Sequence, residues 1–197
     1  MSTVSWPGRA IPSQFSMVLV PNNRQFRSPY SQALAGVDLL GNPWRFNLSF
    51  ANQSRTDGTL QALFNRLRGA VNNVPLWDMN REAPSGTLRG SPTLAASVAQ
   101  GAASISLQTT AGATLLTGDK IGFASMLFEV ADPATANGAG VATVNLTSRV
   151  RKTVASGVAV AWDKPSTLAV LNGDGIVPVM YGINGADGVQ VEFMEAW

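Results

Sequence analysis

One segment of the sequence has a clear helical period, and the rest of the chain must fold around it. Within residues 54–69, large apolar residues recur at i, i+3, i+4 and i+7, a spacing that places them on one face of a helix: Leu60, Leu63, Phe64 and Leu67. Thr56 or Asp57 is suited to cap the amino end, and Gly69 to end the helix in a left-handed conformation. We therefore predict one short helix that plugs or covers a β-structure.

Outside this helix the pattern is that of β-strands. Residues 44–50, WRFNLSF, alternate strictly, which is typical of a half-buried antiparallel strand. Residues 24–30 carry Phe26 and Tyr30 around Ser28-Pro29 and receive no strand assignment. Further strands are predicted at residues 15–20, 32–40, 72–77, 166–171, 176–181 and 189–197. The regular carboxy-terminal strand is expected to pair with the first part of the chain.

The composition changes near residue 91, where Ala, Gly, Ser, Thr and Val become dominant and charges become sparse. Turn signals separate short apolar runs at residues 104–108, 120–123, 127–130, 141–146 and 158–162, a spacing typical of a small barrel or sandwich. The predicted fold is mainly β. An antiparallel barrel or sandwich domain with the single helix spans residues 1–90 and 165–197, and a second small barrel-like unit is inserted at residues 91–164.

The chemical inventory argues against an enzyme. The chain has no Cys and no His, which excludes thiol chemistry and any Ser-His-Asp or Cys-His site within it. Carboxylate pairs such as Asp78 with Glu82, or Glu192 with Glu195, lie in no distinctive motif. The Asn-Gly and Asp-Gly clusters at residues 172–175 and 184–188 are typical of hairpin turns and lack the spacing of a calcium loop. We predict no catalytic, cofactor-binding or metal-binding residues.

The charge pattern favours contacts with other proteins. Only 13% of residues are charged, and the basic residues comprise 11 Arg and 3 Lys. Arg is favoured at protein interfaces. A surface with few charges also loses little hydration free energy when it packs against another protein. Four residues are the predicted interface candidates: Trp6 and Trp197 near the chain ends, and Arg66 and Arg68 at the end of the helix. The cluster of Arg149, Arg151 and Lys152 reads as a solvated strand end, so no nucleic-acid partner is predicted.

No apolar run reaches the roughly 18 residues of a membrane span, and the amino-terminal residues lack a signal pattern. These features predict a protein that is made in the cytoplasm and has no membrane partner.

The order of these parts resembles the distal tail or baseplate proteins of long-tailed phages and gene transfer agents. The resemblance is carried by short motifs in sequence order: W-P-x-x-x-I-P, S-P-Y, G-N-P-W-R-F, L-F-N-R-L-R-G, L-x-x-G-D-K-I-G-F and G-V-A-V-A-W-x-x-P. It implies a structural subunit of the virion tail tip, assembled in the host cytoplasm. Its partners would be further copies in a ring, hexameric in the family, and the tail tube and tail-tip or hub proteins. It implies no catalytic residues and no cofactor.

Two other functions stay open at this level. A carbohydrate-binding β-module for host-surface adhesion is suggested by five Trp residues and the β-rich pattern. A hydrolase that uses only carboxylates is the third possibility.

Overall fold

A computed structural model describes residues 1–8, 10–50, 58–173, 181–182, 185–186 and 188–196. The fold is mainly β and antiparallel, as predicted, and the described residues contain one helix. The chain divides into two compact units. The first comprises Met1–Val18, Trp44–Glu82 and Ser166–Trp197, and the second comprises Leu19–Pro43 and Ala83–Pro165.

The elements follow one another along the chain in this order: β1 (Gln14–Leu19), β2 (Asn23–Arg27), β3 (Leu34–Asp38), β4 (Trp44–Phe50), α1 (Thr59–Leu67), β5 (Val74–Trp77), β6 (Thr93–Leu94), β7 (Ser104–Gln108), β8 (Thr114–Leu115), β9 (Lys120–Phe123), β10 (Met126–Glu129), β11 (Ala134–Thr135), β12 (Val141–Asn145), β13 (Ser166–Leu171), β14 (Tyr181–Gly182), β15 (Gly185–Ala186) and β16 (Val189–Glu195).

The first unit is built on a five-stranded sheet with the order β1-β4-β16-β13-β5. The predicted pairing of the carboxy-terminal strand with the first part of the chain is confirmed, because β16 lies antiparallel between β4 and β13. Phe46 lies opposite Phe193, and Leu48 lies opposite Val191, and all four are buried. The strict alternation of β4 therefore produces one buried aromatic and aliphatic face and one polar face.

One acidic residue lies on the buried face of this sheet. The Glu195 carboxylate accepts a hydrogen bond from the backbone N–H of Trp44 to Oε2 at 3.0 Å and one from the Thr167 hydroxyl to Oε1 at 2.6 Å. A buried carboxylate is costly unless it is hydrogen-bonded. The contacts bring together the ends of β4, β13 and β16 and offset part of that cost.

The helix buries the predicted stripe: Leu60, Leu63, Phe64 and Leu67 are each at most 4% exposed. It begins at Thr59 after Gly58, and the predicted caps Thr56 and Asp57 lie outside the described residues. Gly69 has a positive φ of 66°, as predicted, but it is not the first left-handed residue at this end. Arg68 already adopts that conformation, with φ 49° and ψ 49°, and its N–H reaches the Phe64 carbonyl at 3.3 Å.

In the second unit, residues 83–165 form a closed circuit of paired strands. β12 pairs with β7, β7 with β6, and β9 with β10. Single bridges complete the circuit: Val130 with Leu146, Gly122 with Ala161, and Thr93 with Ala159. Residues 158–162, predicted as a strand, contribute these last two bridges rather than a regular strand. The buried apolar residues of these strands form one core.

The buried Asp119 carboxylate ties the loop before this barrel to the barrel itself. Oδ1 accepts the Ser85 N–H at 2.8 Å, and Oδ2 accepts the N–H groups of Gly86 at 3.1 Å and Leu116 at 2.8 Å. Asp119 is 2% exposed. Three charge-assisted hydrogen bonds compensate for the desolvation of the carboxylate and fix the loop at residues 84–90.

Candidate assembly surface

The most exposed apolar surface among the described residues is on a β-hairpin, of which only the second strand was predicted, at residues 32–40. Strands β2 and β3 pair antiparallel, and all ten of their residues are exposed. Phe26 is 58% exposed, Leu34 66%, and Tyr30 at the tip 98%. We call residues 19–43, which contain this hairpin, the hairpin arm.

The register of the hairpin places its apolar side chains on both faces. Arg24 lies opposite Val37, and Phe26 lies opposite Ala35, so these four residues share one face. Leu34 lies on the other face, opposite Arg27. A β-hairpin with water on both faces buries almost nothing within itself, and an isolated two-stranded hairpin is marginally stable in water. The arm is therefore a surface that a partner would stabilise.

The tip of the arm is closed by local hydrogen bonds. The Ser28 N–H donates to the Ala33 carbonyl at 2.9 Å, and the Gln32 N–H donates to the Ser28 carbonyl at 3.0 Å. Gln32 has φ 58°, a left-handed conformation that non-glycine residues adopt rarely. This closure presents Tyr30 to solvent at the far end of the hairpin.

Two arginines of the barrel hold the base of the arm. Arg149 Nε contacts Asp38 Oδ2 at 3.1 Å, and an Arg151 guanidinium N–H donates to the Asn42 carbonyl at 3.4 Å. A solvated strand end was predicted here, and the Arg149 side chain is half exposed, but both arginines have partners more than 100 residues earlier in the chain. Because Arg149 neutralises Asp38, the remaining charges of the hairpin are those of Arg24 and Arg27, and both are positive.

The predicted interface residues lie in different places. Trp6 is half-buried against its own sheet, with its ring centroid 6.3 Å from that of Phe50 and 6.4 Å from that of Phe193. Its indole N–H donates to the Ala10 carbonyl at 3.0 Å. Arg66 and Arg68 are exposed at the end of the helix. Trp197 lies outside the described residues. The arm residues were not among the predicted interface residues.

The structure separates one of the carboxylate pairs considered above. Glu192 and Glu195 are three residues apart on β16, so they lie on opposite faces of the sheet, and only Glu195 is buried. Asp78 is buried, and its Oδ1 accepts the Asn80 N–H at 3.0 Å. Of the turns predicted at residues 172–175 and 184–188, residues 174, 175, 184 and 187 lie outside the described residues, and Gly185–Ala186 forms β15, which pairs antiparallel with β14. Of the tryptophans, Trp44 lies in the core, at 3% exposure.

Within the described part of the chain, no three or more Asp or Glu side chains come together as a group that could hold a metal ion. The helix has nine residues, which is too short to cross a membrane. The described residues contain no other helix. Comparison of the sequence with models of protein families found no matching family, and a search of curated proteins found no matching relative.

Proposed function

We propose that the chain is a structural subunit of a phage-type tail tip, where copies assemble into a ring between the tail tube and the tail-tip or hub proteins. The proposal combines the resemblance of the sequence to distal tail and baseplate proteins with one structural observation. That observation is the exposed hairpin arm, which contacts Arg149 and Arg151 at its base and leaves Phe26 and Leu34 more than half exposed. In this proposal the protein acts by occupying a fixed place in the virion.

The energetics of the arm favour self-association. Full burial of a side chain such as Phe, Leu or Val contributes about 1.5 to 3 kcal/mol, so the exposed halves of Phe26, Leu34 and Val37 would each contribute about 1 kcal/mol. A single contact of this size is weak after the cost of association. In a closed ring every subunit makes the same contact twice, once with each neighbour, and the ring as a whole becomes stable.

The test compares two double variants by size-exclusion chromatography with light scattering and by negative-stain electron microscopy. F26S/V37S removes two apolar side chains from one face of the arm. V71S/L116S removes two similarly exposed apolar side chains elsewhere, since Val71 is 57% and Leu116 44% exposed. We expect rings for the unmodified protein and for V71S/L116S, and at least a tenfold weaker association for F26S/V37S, as expected from about 1.4 kcal/mol or more per contact.

Immunogold labelling of purified virions provides the second readout, with the label expected at the tail tip. A protein that remains monomeric at high concentration and is absent from virions would refute the proposal. Equal association of the two double variants would show that the arm is not the contact, even if rings form.

A further inference from the structure

A polar groove crosses the exposed face of the five-stranded sheet in the first unit, opposite the buried aromatic face. It has a volume of about 480 Å³, within the range of about 300 to 1,000 Å³ that small-molecule sites occupy. Three neighbouring strands contribute its polar side chains: Gln14 and Ser16 from β1, Asn47 and Ser49 from β4, and Gln190 and Glu192 from β16.

The alternation of the strands places these groups side by side. Asn47 lies directly opposite Glu192, and Ser49 lies directly opposite Gln190, so their side chains project on the same face about 5 Å apart. The Asn47 amide donates to Ser16 Oγ at 3.3 Å, which orients its NH₂ group towards β1. Amides and hydroxyls each offer both donors and acceptors, so the groove presents a dense mixture of the two.

The groove is close to electrically neutral. Glu192, its one carboxylate, lies 3.5 Å from Arg45 Nε and accepts a hydrogen bond from the Asn172 amide. The ion pair offsets the negative charge, and a phosphate or sulfate group would still meet the Glu192 carboxylate. Nucleic acid, which is bound largely through cationic contacts to phosphate, is therefore a poor match.

The position of the groove also argues against a peptide. A peptide that adds a strand pairs with the backbone of a sheet edge. The groove instead spans β1, β4 and β16, and its upper surface consists of polar side-chain ends. Phe15, Leu48 and Val191 also line the groove, but the alternation of the strands directs their side chains to the opposite face, so the side chains on the groove face are polar. The ligand that fits best is a neutral molecule rich in hydroxyl groups.

We propose that this groove binds a neutral oligosaccharide, with Asn47 and Gln190 as the central hydrogen-bonding residues. Each amide can bridge two neighbouring hydroxyls, as donor to one and acceptor from the other. The proposal is independent of ring formation and of the hairpin arm. It also differs from the sequence-based idea of tryptophan stacking, because no tryptophan lines the groove.

The experiment titrates the full chain with a fixed panel of probes: maltopentaose, cellopentaose, chitopentaose, mannopentaose and, as a charged comparison, a sulfated dextran oligosaccharide. Saturation-transfer NMR detects binding, and calorimetry measures the affinity. The test variant is N47A/Q190A. The control is Q61A/N65A, which removes two helix amides, Asn65 exposed and Gln61 partly buried, that pair with each other at 3.0 Å. Thermal melts verify that both variants stay folded.

At least one neutral probe is expected to bind, with an affinity at least tenfold lower in N47A/Q190A and unchanged in Q61A/N65A, because two net hydrogen bonds contribute about 1.4 kcal/mol or more. Three results would overturn the proposal: no neutral probe bound at about 10 mM, the limit of very weak binding; equal affinity of the two variants; or tighter binding of the sulfated probe. None of these results bears on whether the chain forms rings.

Discussion

Replacement of Asp119 by alanine should destabilise the second unit more than any other single acidic substitution among the described residues. The carboxylate is 2% exposed and accepts three backbone hydrogen bonds, from Ser85, Gly86 and Leu116. D119A removes both carboxylate oxygens and leaves three N–H groups without their acceptor. D119N keeps the shape of the side chain but turns one acceptor into a donor.

The three hydrogen bonds to Asp119 determine how much unfolding free energy each substitution should remove. A buried donor that loses its partner costs about 1 to 3 kcal/mol, and water entering the space left by the side chain recovers part of that. We therefore expect D119A to lower the free energy of unfolding by about 4 kcal/mol. In D119N the amide oxygen can serve the two donors at the Oδ2 position, while its NH₂ group faces the Ser85 N–H. The expected loss for D119N is about 2 kcal/mol.

The matched control is D132A, because Asp132 is exposed and its Oδ2 accepts one hydrogen bond, from the Asn145 amide, at 3.0 Å. Its removal should cost less than about 1 kcal/mol. Urea unfolding is followed by circular dichroism and by tryptophan fluorescence. Trp162 reports on the fixed loop, because its indole N–H donates to the Gly90 carbonyl at 2.8 Å. D119A should also lower Tm by roughly 8 to 16 °C. Equal stability of D119A and D132A would refute the reasoning.

Three further predictions concern packing and backbone. Leu107→Ala, at a fully buried barrel position, should cost about 3 kcal/mol in chemical denaturation, and a loss below about 1 kcal/mol would contradict the closed core. Gly140→Ala should cost at least about 2 kcal/mol more than Gly157→Ala in the same assay. Both glycines have positive φ, but a Cβ at 140 would lie 2.2 Å from the Thr109 carbonyl oxygen, whereas the space at 157 is open. Trp6→Ala should lower the free energy of unfolding by about 2 kcal/mol through lost ring contacts; unchanged stability with lost self-association would instead indicate a subunit contact.

The parts of the fold that could be predicted are those with a local period. Apolar residues recur every two residues in β4 and about every 3.6 residues in α1. Each period predicts which face of the element is buried. The strand at residues 166–171 was predicted with the bounds that the structure shows. The pairing of β16 with the first part of the chain could be predicted from its alternation. A strand with one apolar face must join a sheet that buries that face.

The parts that could not be predicted depend on contacts between distant residues. The barrel closes through single bridges such as Val130 with Leu146, and no local sequence pattern predicts such bridges. Strand β2, NRQFR, has one large apolar residue in five and therefore no alternating pattern, although its backbone pairs fully with β3. Arg149 was predicted to be a solvated charge, since no local sequence pattern indicates its partner Asp38, 111 residues earlier in the chain.

The hairpin arm can be removed without disturbing the sheet, and this separates assembly from folding. The arm lies in sequence between β1 and β4, which are neighbours in that sheet. Its ends are already close, because the Val20 N–H donates to the Pro43 carbonyl at 2.9 Å. Replacement of residues 22–41 by a short glycine-containing turn shortens a loop, which changes the closure entropy by only about 1 kcal/mol. The exposed contact of Arg149 with Asp38 contributes at most about 1 kcal/mol, so its loss is small. We therefore expect the deletion variant to unfold at nearly the same urea concentration as the unmodified chain and to stay monomeric in light scattering. A variant that unfolds readily would show that the arm is part of the folded core, and one that still forms rings would place the subunit contact elsewhere.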